Sequence, residues 1–208
     1  MAGTLTVQRQ ANYRFDPDNH LHTVDGKRIT SVTTAIRSAG LIDVAKYAPG
    51  SAAHGSHVHV VTELWDLYSE ETADLEALQY LNGWRKFRED KQFTPTEVEH
   101  ACCNMELGYA GVIDRIGSNP EYPRILLDIK SGAKEPWHAI QTAAYAAMLP
   151  HPFQLERWCV YLRRDGTYQI DINPRTNLHA DLAVFLSCLS IHNFKERNGN
   201  HSRSGVGE

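Results

Sequence analysis

Two short apolar runs, each ending on an acid, lie between Gly108 and Tyr145, and they constrain the fold more than any other stretch. The first is Val112-Ile113-Asp114. The second is Ile125-Leu126-Leu127-Asp128, with Lys130 one residue further on. Runs this short, rich in Val, Ile and Leu and bounded by Gly, Ser, Asn and Pro, are strands rather than helices. Side chains alternate along a strand, so Asp128 and Lys130 share a face and Ile129 takes the other. The linker 117–124 is long enough to reverse the chain and set the two strands side by side. Asp114, Asp128 and Lys130 are then expected together at one edge of a sheet. A charge at the end of a buried strand is costly unless it is paired or binds a metal. Two carboxylates beside an ammonium can hold a hard divalent cation and activate a water. A lone D-x-K also occurs as solvated decoration of an exposed strand.

The rest of the chain supplies helices and further strands. Residues 13–18 and 22–29 read as a small hairpin, turned at Asp25-Gly26. Ser31 caps a short helix carrying Val32, Ala35 and Ile36, and Gly40 ends it. Residues 55–68 form an amphipathic helix with Val58, Val61, Leu64 and Trp65 on its buried stripe. His54, His57 and His59 cluster there, either as a polar face or as ligands; the zinc pattern H-E-x-x-H is missing. A second helix, 73–90, buries Leu75, Leu78, Leu81, Trp84 and Phe87, while Arg85, Lys86 and Arg88 line a phosphate track or are simply solvated. Glu99 lies on a strand, 96–103, that faces the Asp114 strand across a turn, with Glu97 as its competitor and cross-strand surface pairing as the alternative role. Pro136 opens a helix bearing Gln141 and Tyr145 one turn apart among small residues, so the helix can lie close to the sheet. Two more strands, 155–162 and 167–172, turn at Asp165-Gly166, and Asn177 caps a last helix to about Lys195. The expected architecture is α/β, a central mixed β-sheet flanked by helices. It occupies one domain, 13–195, between a flexible N-terminus, 1–12, and a disordered tail, 196–208.

A chain of 208 residues with 42% hydrophobic and 22% charged residues can bury a full core. The formal net charge of −4 excludes a globally basic nucleic-acid binder but not a local basic groove. The N-terminal stretch lacks an apolar signal region and no apolar stretch approaches the ~20 residues of a membrane span, so an intracellular protein away from the membrane is expected. Cys102, Cys103, Cys159 and Cys188 show no CxxC spacing and are expected as reduced thiols.

Gly111 to Asp114, then Asp128-Ile129-Lys130-Ser131-Gly132, then Gln141 with Tyr145, form the series G-x-x-D, D-I-K-[ST]-G and Q-x-x-x-Y. In this order they resemble the PD-(D/E)xK nuclease superfamily, specifically the branch with the RecB nuclease domain, CRISPR-associated exonucleases and small phage exonucleases. The resemblance implies a restriction-endonuclease-like core and a DNA nuclease, most readily an exonuclease acting on DNA ends in phage-type recombination, replication or repair. It implies Mg²⁺ or Mn²⁺ held by Asp114, Asp128 and the Ile129 carbonyl, with Lys130 positioning the attacking water. Gly55, Ser56 and His59 match the family's G-[ST]-x-x-H, which makes His59 a further ligand; the residue before that glycine is His54 where the family usually has arginine. Glu99 fits the place of a family glutamate near the metal. Gln141, Tyr145 and Ser131 are implied as contacts to the DNA backbone, which carry no sequence information. Some relatives hold an iron–sulfur cluster through one cysteine upstream of the core and three downstream; that pattern is missing here, so no such cluster is expected. Implied partners are DNA, duplex or single-stranded, and a recombination or single-strand-binding protein. An endonuclease of the same fold, a non-catalytic nucleic-acid-binding module and a hydrolase of small phosphorylated molecules are the competing readings.

Overall fold

The computed structural model describes residues 12–199. Three short strands come first: β1 (Tyr13–Asp16), β2 (Leu21–Val24) and β3 (Lys27–Ser31). Helices α1 (Val32–Ser38), α2 (Ser51–Tyr68) and α3 (Leu75–Lys91) follow. Then come β4 (Thr94–Asn104), β5 (Tyr109–Ser118) and β6 (Ile125–Lys130). The chain ends with α4 (Trp137–Ala146), β7 (Glu156–Leu162), β8 (Tyr168–Asn173) and α5 (Leu178–Gly199). The eight strands make one mixed sheet in the order β1-β2-β3-β5-β6-β7-β8, with β4 also paired to β5. The α/β architecture with a central mixed sheet flanked by helices is therefore present.

The strand alternation of β6 sorts two cores. Leu126 joins α1, α4 and α5 through Ile36, Ala143, Phe185 and Leu189. Ile125, Leu127 and Ile129 join α2 and α3 on the other face through Val58, Leu81, Trp84 and Phe87. Each fully buried aliphatic or aromatic side chain contributes about 1.5–3 kcal/mol, so both faces hold the strand firmly. Ser31 caps α1 as expected, its side chain accepting from the Thr34 N–H. Asp74 does the same for α3 at Glu76 and Ala77.

Several expectations need correction. Asp114 and Asp128 do not lie at an outer edge of the sheet. Tyr109 and Ala110 of β5 pair with both β3 and β4, whereas 115–117 pair with both β4 and β6. A strand has two flanks, so β4 covers one and β3 and β6 share the other. Between them, at 111–114, lies an interior fork. Leu75 is 78% exposed because the inward face of α3 begins at Ala77. Asn177 closes a 3₁₀ turn, Arg175–Asn177, ahead of α5. That helix runs four residues beyond Lys195, so 196–199 are helical rather than disordered. The expected flexibility of 1–11 and disorder of 200–208 lie outside the described residues. Asn12 donates its backbone N–H to Asp25 at 3.1 Å.

Gly111 sits in the fork with the Tyr145 ring over it. A Cβ there would lie 2.6 Å from Tyr145 Cε1 and 3.4 Å from Met148 Cε. Gly111→Ala is expected to destabilise the fold by about 1–3 kcal/mol, the usual range for overpacking. Gly132→Ala, with nothing within 4 Å, is the control. Urea unfolding with equal midpoints for the two would show that the close approach carries no constraint.

Candidate metal centre

The fork is where the chemistry collects. The β5–β6 ladder stops at Arg115↔Leu127, so Asp114 and Asp128 face each other one step beyond the last paired residues. Beyond that point the Ile129 N–H has no backbone acceptor on β5. It donates to Asp114 Oδ2 at 2.5 Å. The carboxylate thus completes the sheet and is anchored by it.

Alternation breaks in β5 at this point. Ile113 and Ile116 both enter the α1/α4/α5 core, yet Asp114 and Arg115 between them both reach residues of α2. The facing residue on β4 is Glu99, whose φ of +48° puts a non-glycine residue in the left-handed region. Such a conformation costs on the order of 1 kcal/mol or more and persists where the surroundings determine it. Here it turns the Glu99 carboxylate toward Asp114. Glu97, the competitor, is taken by His100 at 2.5 Å.

His59 completes the group from α2, which Val58, Val61 and Thr62 hold against the sheet. Its Nδ1 is 3.5 Å from Asp114 Oδ1 and 4.0 Å from Glu99 Oε1. Ligand atoms of His59, Glu99 and Asp114 all lie within 4.8 Å of one another. One imidazole nitrogen and two carboxylate oxygens at this spacing suit a divalent cation. Burial lowers the His59 pKa, against the pull of Asp114, and keeps the imidazole in the neutral form a metal requires. The backbone carbonyl of Ile129 lies against the same ring.

Asp128 and Lys130 form the second half of the site, from the α4 side. Lys130 Nζ is 2.7 Å from Asp128 Oδ2 and donates to Gln141 Oε1 at 2.9 Å. The Asp128 contact is a close ion pair in the interior, with the Lys130 side chain 16% and the Asp128 side chain 2% exposed. Gln141 Nε2 in turn donates to the Tyr145 hydroxyl at 3.0 Å. Gln141 and Tyr145 are each 5% exposed, so their polar groups serve this chain rather than the surface. The Trp137 ring lies 5.4 Å from the ammonium. Burial pulls the Lys130 pKa down, but the Asp128 and Asp114 carboxylates outweigh it and leave a firm cation. Ser131 follows directly, and a Cβ on Gly55 of α2 would rest 3.7 Å from its hydroxyl. His54 instead packs edge-on against Tyr80, with its Nε2 unpartnered.

One buried acid, Asp128, and one half-buried acid, Glu99, carry raised pKa values. Burial pushes Glu99 up to about 8, helped by Asp114 and opposed by Arg115. Burial likewise pushes Asp128 up to about 7, with Lys130 pulling back. A folded-state pKa above the unfolded value means that folding binds protons, and stability is lost as pH rises through the folded pKa. Between pH 7 and 8 the thermal midpoint of the metal-free protein is therefore expected to fall. A bound divalent cation needs both groups ionised, so its stabilising effect is expected to grow over the same range. Melts with EDTA and with Mn²⁺ at the two pH values check this; a Mn²⁺ shift that shrinks with pH would contradict it.

Arg115 is a residue of the site that the sequence pattern does not mark out. It is fully buried, with Nε 2.6 Å from Asp66 Oδ2 and one guanidinium nitrogen donating to Glu99 at 3.0 Å and to the Asp114 carbonyl at 2.6 Å. Another reaches Thr62 at 3.3 Å. The one available signal was an arginine inside the apolar run Ile113–Ile116. Arg88 also pairs with Asp66, Arg85 with Glu71 and Lys86 with Asp90, so the three cations of α3, read as a phosphate track or as solvated, are internally paired. Among the described residues no helix is long and apolar enough to cross a membrane. No family model matches the chain, and no curated protein matches its sequence.

Proposed function

We propose that this protein is a divalent-metal-dependent nuclease that hydrolyses phosphodiester bonds of DNA, working from strand ends. One observation carries the reading: an Asp/Asp pair on neighbouring strands, next to a His/Glu cluster, with a lysine held as an ammonium between one of those acids and a glutamine. The order of these residues along the chain resembles that of the PD-(D/E)xK nucleases and supports the reading.

His59, Glu99 and Asp114 would hold the cation, with Asp128 and the Ile129 carbonyl beside them; a nitrogen ligand suits Mn²⁺ better than Mg²⁺. Such a cation supplies Lewis-acid charge to the scissile phosphate and makes an adjacent water more acidic. The protein's own groups do the rest. Lys130 donates from a fixed position, and its charge favours hydroxide over water and offsets the negative charge that builds on the phosphate. Gln141 and Tyr145 fix that position. The Ile129 N–H anchors the Asp114 carboxylate to the neighbouring strand.

The test compares wild type with Asp128→Asn on end-labelled linear duplex, single-stranded and closed circular DNA, each with Mg²⁺, Mn²⁺ or EDTA. Metal-dependent release of nucleotides from linear substrates, lost in the variant, is expected. Cutting of circles would make it an endonuclease, and no cleavage of any DNA would overturn the reading.

A further inference from the structure

β6 and β7 are parallel neighbours, with Lys130 in register with Tyr161. Crevices beyond the carboxyl ends of parallel strands are where α/β proteins take up ligands. Here those ends open into a groove of about 440 Å³. Its lining includes Ser131 and Lys134 from the segment after β6, and Tyr161, Arg163, Arg164 and Gln169 from the β7–β8 hairpin.

Three cations and no acid line this groove. Asp171 and Glu76 stand at its margins, pairing Lys134 at 2.6 Å and Arg164 at 3.6 Å. The Arg163 side chain donates to a neutral group, Gln169 Oε1 at 2.6 Å, and the exposed Asp165 of the same turn lies within its electrostatic reach. Lys134, Arg163 and Arg164 are all exposed, so an incoming anion can exchange with these contacts at little cost. The groove also adjoins the site. Lys134 is four residues past Lys130, a reach of at most about 14 Å. Arg163 is two residues past the strand partner of Lys130.

We infer that this groove binds the phosphodiester backbone of one polynucleotide strand on one side of the scissile bond, with Arg163 and Arg164 as the phosphate contacts. The inference rests on the nuclease reading and extends it. The substrate is a polyanion several nucleotides long, engaged by charge without base readout. On a protein of net charge −4, such a local patch directs the strand to the site.

Anisotropy titrations of fluorescein-labelled oligonucleotides, single-stranded and duplex, are made in EDTA across a KCl series, so that hydrolysis does not intrude. Removing two phosphate contacts from a single strand lowers the slope of log K against log salt by about 1.4, and from duplex by about 1.8. Arg163→Ala/Arg164→Ala is expected to show this loss, with affinity down on the order of tenfold or more at low salt. The control is Lys27→Ala/Arg28→Ala, an equal charge change on the exposed β2–β3 hairpin at the other end of the sheet order. A slope change no larger than the control's, or no polynucleotide binding by the wild type, would overturn the groove. Binding that responds as expected in a protein without metal-dependent cleavage would leave the groove standing and remove the nuclease reading. Cleavage with an unchanged slope would do the reverse.

Discussion

Lys130→Met is expected to lower phosphodiester hydrolysis by about 10²–10³-fold, the effect of removing one preorganised charge from a reacting centre. Methionine keeps most of the aliphatic stem, so the loss is mainly that of the ammonium and its contact over the Trp137 ring. The consequence for Asp128 is separable. Its carboxyl is buried and already raised, and Lys130 is the group that pulls it back. Without that cation Asp128 holds its proton to higher pH, and metal binding at neutral pH weakens with it. Two roles can then be told apart by assaying the variant at saturating Mn²⁺ across pH. A deficit that disappears at alkaline pH would mean that Lys130 serves only to ionise Asp128. A deficit that persists places the ammonium at the reacting group. Full activity at pH 7 would remove Lys130 from the mechanism.

What was legible in the sequence follows from periodicity. β6 declares itself because Ile125, Leu127 and Ile129 alternate with Leu126 and Asp128, and both faces are covered. The shared face of Asp128 and Lys130 follows from the same period, and the 2.7 Å ion pair agrees with it. β5 was legible as a strand but not in its facing. Asp114 and Arg115 both reach α2, which a regular period of two forbids. Opposite this point on the neighbouring strand Glu99 has a left-handed backbone, and no local pattern around Asp114 encodes it. The fork was hidden for a similar reason: β3 is some eighty residues away in sequence from the two β5 residues it pairs. Spacing alone puts Gln141 and Tyr145 one turn apart on a helix, and only the resemblance marks them as functional; their inward engagement with Lys130 depends on how close α4 lies. That closeness is set by buried Ala143, Ala144 and Ala146.

The same non-local logic makes Arg115 the residue on which the α2 side of the site depends, and Arg115→Met is expected to destabilise the fold by about 3 kcal/mol. Asp66 and Arg115 are both fully buried, so deleting the arginine strands a carboxylate in the interior. The cost stays at the lower end of the range for broken buried pairs because Arg88 and the Trp84 indole still bond Asp66. Arg88→Met removes a charge from the same carboxylate, but its side chain is 25% exposed, and a loss below about 1 kcal/mol is expected there. Urea unfolding of the two variants sets burial against mere pairing; equal losses would refute the argument. A second readout is functional. Arg115 is the group that opposes the upward shift of Glu99, so its removal leaves Glu99 protonated to higher pH. Calorimetry should then show the Mn²⁺ affinity of Arg115→Met rising with pH later than that of the wild type, while Arg88→Met tracks the wild type. Coincident profiles for all three proteins would mean that Glu99 takes no part in holding the cation.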